Sequence, residues 1–159
     1  MLWVAFRRTP EVARRLVEDP EELEVLFEAE PDDTSVDLDK AWHAVHWLLT
    51  GATEPTADVT SKAIFGGEEV GEDIGYGPAR LMAADEVRTL AATLLDVDIE
   101  SLRPRMDTAA MSAAGVYPAI WDEDGEALFA DYLAPSFERL RAFYAAAADA
   151  EQAVIQTLT

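Results

Sequence analysis

The sequence contains no cysteine in its 159 residues, and this absence excludes several kinds of chemistry. Disulfide bonds, thiolate nucleophiles and cysteine-ligated zinc sites all require that side chain. Long apolar runs are absent as well, since none approaches the ~20 residues that a membrane span needs. A chain without cysteine fits a reducing compartment. We therefore expect a cytoplasmic protein that does not enter a membrane.

Positive charge is also scarce. Lys40 and Lys62 are the only lysines, and 12 basic residues stand against 32 acidic ones, so the formal net charge is −20. Nucleic acids and anionic membranes bind proteins through contacts between phosphate and Lys or Arg, so we expect neither as a partner. The extreme segment is 18–33, which holds nine acidic residues and no basic one. A basic protein partner is one interpretation of this charge, and a well-solvated surface is the other.

Length and hydrophobic content predict a single domain over residues 1–159, because 50% of the residues are hydrophobic. Short apolar runs predict strands at 2–6, 62–65, 78–82 and 153–158. Helical spacing and capping residues predict helices after Thr9, after Asp19, at 36–51, at 85–95, after Asp107 and at 126–148, the last interrupted by Pro135. The expected fold class is α+β, with several helices packed on a small sheet of short strands.

Segment 36–51, VDLDKAWHAVHWLLTG, predicts a central helix that Asp37 caps and Gly51 ends. Its apolar side chains form one arc, and Trp47 lies on the far side, which is either covered or lines a pocket.

Asp39, His43 and His46 fall together on a flank of this predicted helix. They are weak candidates for a divalent metal, because the HExxH spacing is absent, and we expect no metal and no other cofactor. The alternative is that a half-buried His46 donates to a backbone carbonyl while His43 lies at the surface.

Five of the eight glycines fall in segment 66–77, GGEEVGEDIGYG. The segment lacks the GxxxxGK[ST] pattern of a phosphate-binding loop, and its acidic residues oppose an anion. One interpretation is a loop over a neutral or cationic ligand, with Tyr76 and Arg80 as polar contacts. The alternative is a set of tight turns in which Arg80 pairs with an acid.

The stretch Trp121, Asp122, Glu123, Asp124 places an aromatic ring beside carboxylates. Such a loop can hold an amine or guanidinium. Alternatively, the ring packs into the protein and Asp122 or Asp124 caps the next helix.

Four segments, taken in order, resemble one known family: LDKAWHAVHWLLTG, AIFGGEEVGEDIGYGPARLM, AAGVYPAIWDEDGEALFADYLAPSFERLRAFY and AVIQTL. They resemble the YfbM-like family, a bacterial family catalogued as a domain of unknown function. The resemblance implies a small α+β fold and implies no substrate, because none is known for the family. His46 falls on the position that the family pattern DKxWxxxH marks, whereas His43 falls on a more variable one.

Two function hypotheses follow. We favour an acidic interaction module of the inhibitor or immunity type, whose partner is a basic protein. The alternative is a small-ligand-binding protein or an enzyme with a pocket beside the central helix. That pocket would be lined by His46, Trp47, Tyr76, Arg80 and Trp121. No GxSxG motif anchors a hydrolase triad, and the oligomeric state stays open.

Overall fold

The computed structural model describes residues 1–73, 76–121 and 125–159, and in these ranges the strands form one five-stranded antiparallel sheet. The strands are β1 (Trp3–Arg8), β2 (Ser35–Asp39), β3 (Glu68–Asp73), β4 (Pro78–Met82) and β5 (Ala153–Leu158). Their order is β2-β1-β5-β4-β3, so the last strand of the chain lies at the centre of the sheet. The antiparallel neighbours of β5 are β1 and β4.

The helices in the described ranges are α1 (Pro10–Glu18), α2 (Pro20–Glu28), α3 (Trp42–Thr50), α4 (Lys62–Phe65), α5 (Ala84–Leu95), α6 (Thr108–Ala114), α7 (Gly125–Leu128) and α8 (Ala134–Asp149). Three of these helices, α1, α2 and α6, begin at the capping residues that the sequence predicts. Thr9 and Asp19 accept hydrogen bonds from backbone N–H groups in the first turns of α1 and α2. Asp107 caps α6 in the same way, and Gly115 ends it at a φ of 73°.

Two hydrophobic cores lie on the two faces of the sheet. Alternate residues of a strand point to opposite faces. Val154 of β5 accordingly joins the larger core with the helices from α3 to α8, while Ile155 joins the smaller core with α1 and α2. The predicted fold class, helices packed on a small sheet of short strands, is confirmed.

The prediction of one helix over 36–51 is wrong in its first part. Ser35–Asp39 pairs with β1, and the helix begins only at Trp42, with no side-chain cap at Ala41. The Asp37 carboxylate accepts from the N–H of Asp39 at 2.6 Å and so does not cap α3. The predicted end is confirmed, since Gly51 has a φ of 73°.

The strand predicted at Lys62–Phe65 is wrong as well, because these residues form the helical turn α4. Distant side chains hold the carbonyls of this turn. Trp3 Nε1 donates to Ile64 O at 3.2 Å, and the Tyr144 hydroxyl donates to Ala63 O at 2.9 Å. The carbonyls of a helix end lack intrahelical partners, so these bonds stabilise the turn from outside.

Two glycines let the chain turn closely against β4 after α4. A Cβ on Gly66 would lie 2.6 Å from Met82 Cε, and a Cβ on Gly67 would lie 2.6 Å from the carbonyl carbon of Leu81. Gly67 also has a φ of 93°, which side-chain-bearing residues rarely adopt.

The interruption predicted by Pro135 is confirmed. Phe129–Leu133 forms a π-helical turn between α7 and α8, and Pro135 lies directly after it in the first turn of α8. The helix caps predicted at Asp122 or Asp124 lie outside the described residues. In the described ranges, no helix is both long enough and apolar enough to cross a membrane.

Candidate functional site

A concave groove of about 260 Å³ opens where several segments meet on the larger-core side of the sheet. It is bounded by residues 54–55, α4, the β3–β4 hairpin and the ends of β1 and β5. Its apolar wall consists of Trp3, Pro55, Ile64, Phe65, Pro78 and Leu158. Polar lining comes mainly from Glu54, Glu69, Tyr76, Arg80 and Gln156. We refer to this feature below as the groove.

Arg80 lies in β4, between Glu69 on β3 and Gln156 on β5, in directly paired positions. Directly paired residues project to the same face of a sheet, so the three side chains are neighbours. Arg80 Nη2 contacts Glu69 Oε1 at 2.6 Å, and Arg80 Nη1 donates to Gly67 O at 3.2 Å. The expected pairing of Arg80 with an acid is therefore present.

Gln156 is the functional candidate that sequence reasoning missed. Its side chain is 99% buried, and Nε2 donates to Gly66 O at 2.6 Å. Oε1 is buried and has no hydrogen-bond partner in the described part of the chain. Flipping the side-chain amide of Gln156 would place its oxygen against Gly66 O, and two acceptors form no hydrogen bond. The Gly66 carbonyl therefore determines which way this amide points. The one available signal was a long polar residue inside the apolar run AVIQTL.

Tyr76 is the most exposed aromatic residue of the groove, at 55%. It comes from the hairpin between β3 and β4, where Gly77 has a φ of 100° and donates its N–H to Asp73 Oδ1 at 3.0 Å. This turn places Tyr76 at the groove's rim.

His46 lies behind the groove wall. It is fully buried, its Nε2 donates to Glu54 O at 3.0 Å, and its ring meets Phe65 edge-on with centroids 4.8 Å apart. Because a carbonyl only accepts, the proton resides on Nε2. Burial lowers the pKa of His46 below its ordinary value. His46 therefore positions two lining residues without lining the groove itself.

His43 binds the same loop from the preceding turn of α3. Its Nε2 donates to Thr53 O at 3.0 Å, and its Nδ1 accepts from the backbone N–H of Tyr117 at 3.0 Å. It is half-buried, so the expectation of a surface position is wrong, and burial lowers its pKa. Both ring nitrogens are engaged with backbone groups.

The shared helix flank of Asp39, His43 and His46 does not exist, because Asp39 belongs to β2 and has a φ of 50°. Among residues 1–73, 76–121 and 125–159, no group of three or more His, Asp or Glu side chains could hold a metal ion.

The two tryptophans of the candidate set lie away from the groove. Trp47 is half-buried and donates from Nε1 to Arg105 O at 3.2 Å. The far side of α3 is thus covered by the 3₁₀ helix Ile99–Arg105. Trp121 is 2% exposed and donates to Val116 O at 2.6 Å. The structure brings Tyr76 and Arg80 together, places His46 behind them, and separates both tryptophans from them.

Comparison with known proteins identifies the family of this chain and a protein of similar fold. Residues 1–157 match the model of a family described as a domain of unknown function, DUF1877. The chain belongs to the DUF1877 family. The structure is similar to that of YfbM from Escherichia coli, a protein of unknown function, with a TM-score of 0.78 and 21% identity over 98% of both chains. No curated protein matches the chain. The resemblance to the YfbM-like family is confirmed, and at this identity the likeness shows the fold alone.

The groove of this DUF1877 protein combines a paired arginine, carboxylates and an aromatic wall, which are groups that orient a bound molecule. The hydroxyl of Thr157, another lining residue, donates to Leu158 O.

Proposed function

We propose that this DUF1877 protein binds a small polar ligand in the groove. The observation that carries the proposal is Gln156 Oε1, a buried acceptor that has no partner among the described residues and belongs to a residue lining a concave surface. Leaving a buried acceptor unpaired costs about 1–3 kcal/mol, so a ligand that donates to it recovers a real stabilisation. Buried polar groups without partners are rare, and functional sites are one place where they occur.

The shape of the groove supports a ligand of modest size. Sites for drug-sized ligands have volumes of roughly 300–1,000 Å³, and the groove, at about 260 Å³, lies just below that range. Its apolar wall supplies contact area, while Tyr76 and Arg80 supply polar contacts near the opening. A small metabolite with both an apolar body and a polar head fits this combination.

A fragment screen by NMR tests the proposal on the whole isotope-labelled chain. The fragments should include anionic, neutral and cationic compounds. We expect at least one fragment to shift the side-chain amide of Gln156 and the backbone amides of Gly67 and Gly77 in a saturable manner. The Tyr76→Ala variant should weaken that binding, and Val25→Ala, at an exposed position outside the groove, should not. Shifts confined to other surfaces, or no shift at all, would contradict the proposal.

A second candidate function is suggested by the opposite face of the sheet. We propose there an acidic interaction surface for a basic protein, of the inhibitor or immunity type. The supporting observation is that Val25 is 67% exposed on α2, among the exposed carboxylates of Glu21, Glu24 and Glu28. A basic partner that covers this surface would bury Val25 and pair with the three carboxylates.

The acidic interaction surface is tested by using the protein to capture a basic partner protein at low salt. A partner should be retained by the native protein and by a Glu68→Gln control. It should be lost from a variant in which Glu21, Glu24 and Glu28 are glutamine, and released by added salt. Equal capture by all three proteins would count against the acidic surface.

The cellular location and the exclusion of nucleic acid as a partner are also proposals. We place the protein in the cytoplasm, because a chain without cysteine needs no oxidising compartment. Nucleic acid is not a proposed partner, since a net charge of −20 repels phosphate.

A further inference from the structure

We infer that the groove selects small organic cations that carry N–H donors, such as amines, amidines and guanidines. The inference rests on the proposed ligand-binding function and names the chemistry of the ligand. Its basis is the balance of hydrogen-bond donors, acceptors and charges along the groove.

Several donors that line the groove already serve acceptors of the protein. Trp3 Nε1 donates to Ile64 O, and Gln156 Nε2 donates to Gly66 O. Both terminal nitrogens of Arg80 donate, one to Gly67 O and the other to Glu69 Oε1. The single N–H of Trp3 is thus used, whereas Arg80 and Gln156 keep further N–H groups, so the preference for a donor-bearing ligand rests on the acceptors.

The acceptors show the opposite pattern. Gln156 Oε1 is buried, yet it accepts no hydrogen bond from residues 1–73, 76–121 or 125–159. The carboxylates of Glu54 and Glu69 also line the groove, and both residues are exposed. A bound N–H group would satisfy the buried amide oxygen, and these carboxylates lie close enough to the same groove to attract its charge.

Charge adds to this preference. Two carboxylates and one guanidinium leave the groove with one net negative charge. An anion would be repelled by the carboxylate of Glu69, which contacts Arg80 at 2.6 Å, whereas a cation is attracted by both carboxylates. The exposed ring of Tyr76 favours a cation further, because an aromatic face carries negative potential.

Three compounds that share one ring separate the possibilities: benzamidinium, benzamide and benzoate, with head groups of charge +1, 0 and −1. Each is titrated into the labelled full-length chain at low salt while the side-chain amide of Gln156 is followed by NMR. We expect benzamidinium to bind most tightly, benzamide to bind more weakly, and benzoate to give no saturable shift. Added salt should weaken benzamidinium and leave benzamide unchanged.

Matched variants locate the charge effect. Glu54→Gln should weaken benzamidinium roughly two- to fivefold, the effect of one exposed charge pair, and leave benzamide unchanged. Glu68→Gln is the control, since Glu68 precedes Glu69 on β3 and does not line the groove. Tyr76→Ala should weaken benzamidinium and benzamide together, because it removes a wall that both rings contact.

Three results would overturn the cation preference. In the first, benzamide or benzoate binds at least as tightly as benzamidinium. In the second, benzamidinium gives no saturable shift at Gln156. In the third, the Glu54→Gln variant binds benzamidinium as tightly as the native protein does. If neutral or anionic fragments still shift Gln156 in the screen, ligand binding in the groove stands and only its charge preference falls. If no fragment of any charge does so, both fall.

Discussion

Gln156 and Arg80 lie directly opposite one another on β5 and β4, and they donate to successive carbonyls of one turn, Gly66 O and Gly67 O. The same two side chains line the groove. The turn that follows α4 is therefore tied to the sheet by the residues that would contact a ligand. Anything that moves this turn should change the groove as well as the stability.

The Gly67→Ala substitution tests how much this turn contributes to the stability of the fold. A Cβ at this position would lie 2.6 Å from the backbone of Leu81, and the φ of 93° is strained for alanine. We expect the free energy of unfolding to fall by about 2–4 kcal/mol, since the clash involves backbone that cannot rotate away. Chemical denaturation with urea measures the change.

Gly77→Ala is the matched control. Gly77 has a similar φ of 100°, but a Cβ there would meet no atom of the described residues within 4 Å. We expect a loss of only about 1 kcal/mol, from backbone strain alone. Equal losses for both variants would show that the close approach of Gly67 to β4 contributes nothing.

Local signals predict the parts of the fold that local interactions determine. Thr9 and Asp19 cap helices as expected, because an N-cap needs only the next turn of its own chain. The turn α4 was not predictable, because its carbonyls are held by Trp3 and Tyr144, which are 61 and 81 residues away along the chain. A four-residue apolar run carries no period that distinguishes strand from helix.

The residues of the groove show the same difference between local signals and tertiary contacts. Tyr76 and Arg80 were recognisable because Tyr76 lies in the glycine-rich segment 66–77 and Arg80 follows shortly after it. Gln156 was not, because its role depends on the register of β5 against β4, and register arises from tertiary pairing. Trp47 has the residue type of a pocket wall, but the segment that covers it lies 58 residues further along the chain at Arg105.

The histidines of α3 should make stability depend on pH. Burial lowers the pKa of both His43 and His46 in the folded chain below the ordinary value of 6.5. The unfolded chain therefore binds more protons once the pH falls below about 6.5, and the free energy of unfolding should decrease from there downwards. The slope is at most about 1.4 kcal/mol per pH unit for each histidine.

Urea denaturation at pH 7.5, 6.5 and 5.5 measures this effect above the range in which most carboxylates titrate. His43→Gln should reduce the slope, since one titrating group is removed. Protonated His43 would also turn an N–H toward the N–H of Tyr117, which now donates to Nδ1. A free energy of unfolding that stays constant from pH 7.5 to 5.5 would disprove the prediction.

Arg105 should matter to stability although it is exposed. Its Nη1 donates to the carbonyls of Leu48 and Leu49, at 2.8 and 2.6 Å, in the last turn of α3. Arg105→Gln should lower the free energy of unfolding by about 1–2 kcal/mol, because these carbonyls lose a charged donor at the negative end of the helix. Arg88→Gln, at an exposed position on α5, should change it by less than about 0.5 kcal/mol. Equal thermal denaturation midpoints for the two variants would refute the role of Arg105.

Trp121 should separate folding from ligand binding. Its indole is almost fully buried and donates to Val116 O, yet it does not line the groove. Trp121→Phe keeps an aromatic ring but leaves that carbonyl unpaired, so we expect a loss of about 1–3 kcal/mol in the free energy of unfolding. The affinity of any fragment that shifts the Gln156 amide should stay within experimental error, whereas Tyr76→Ala should lower that affinity with little effect on stability. A Trp121→Phe protein that is fully folded and no longer binds the fragment would mean that the groove is only part of a larger site.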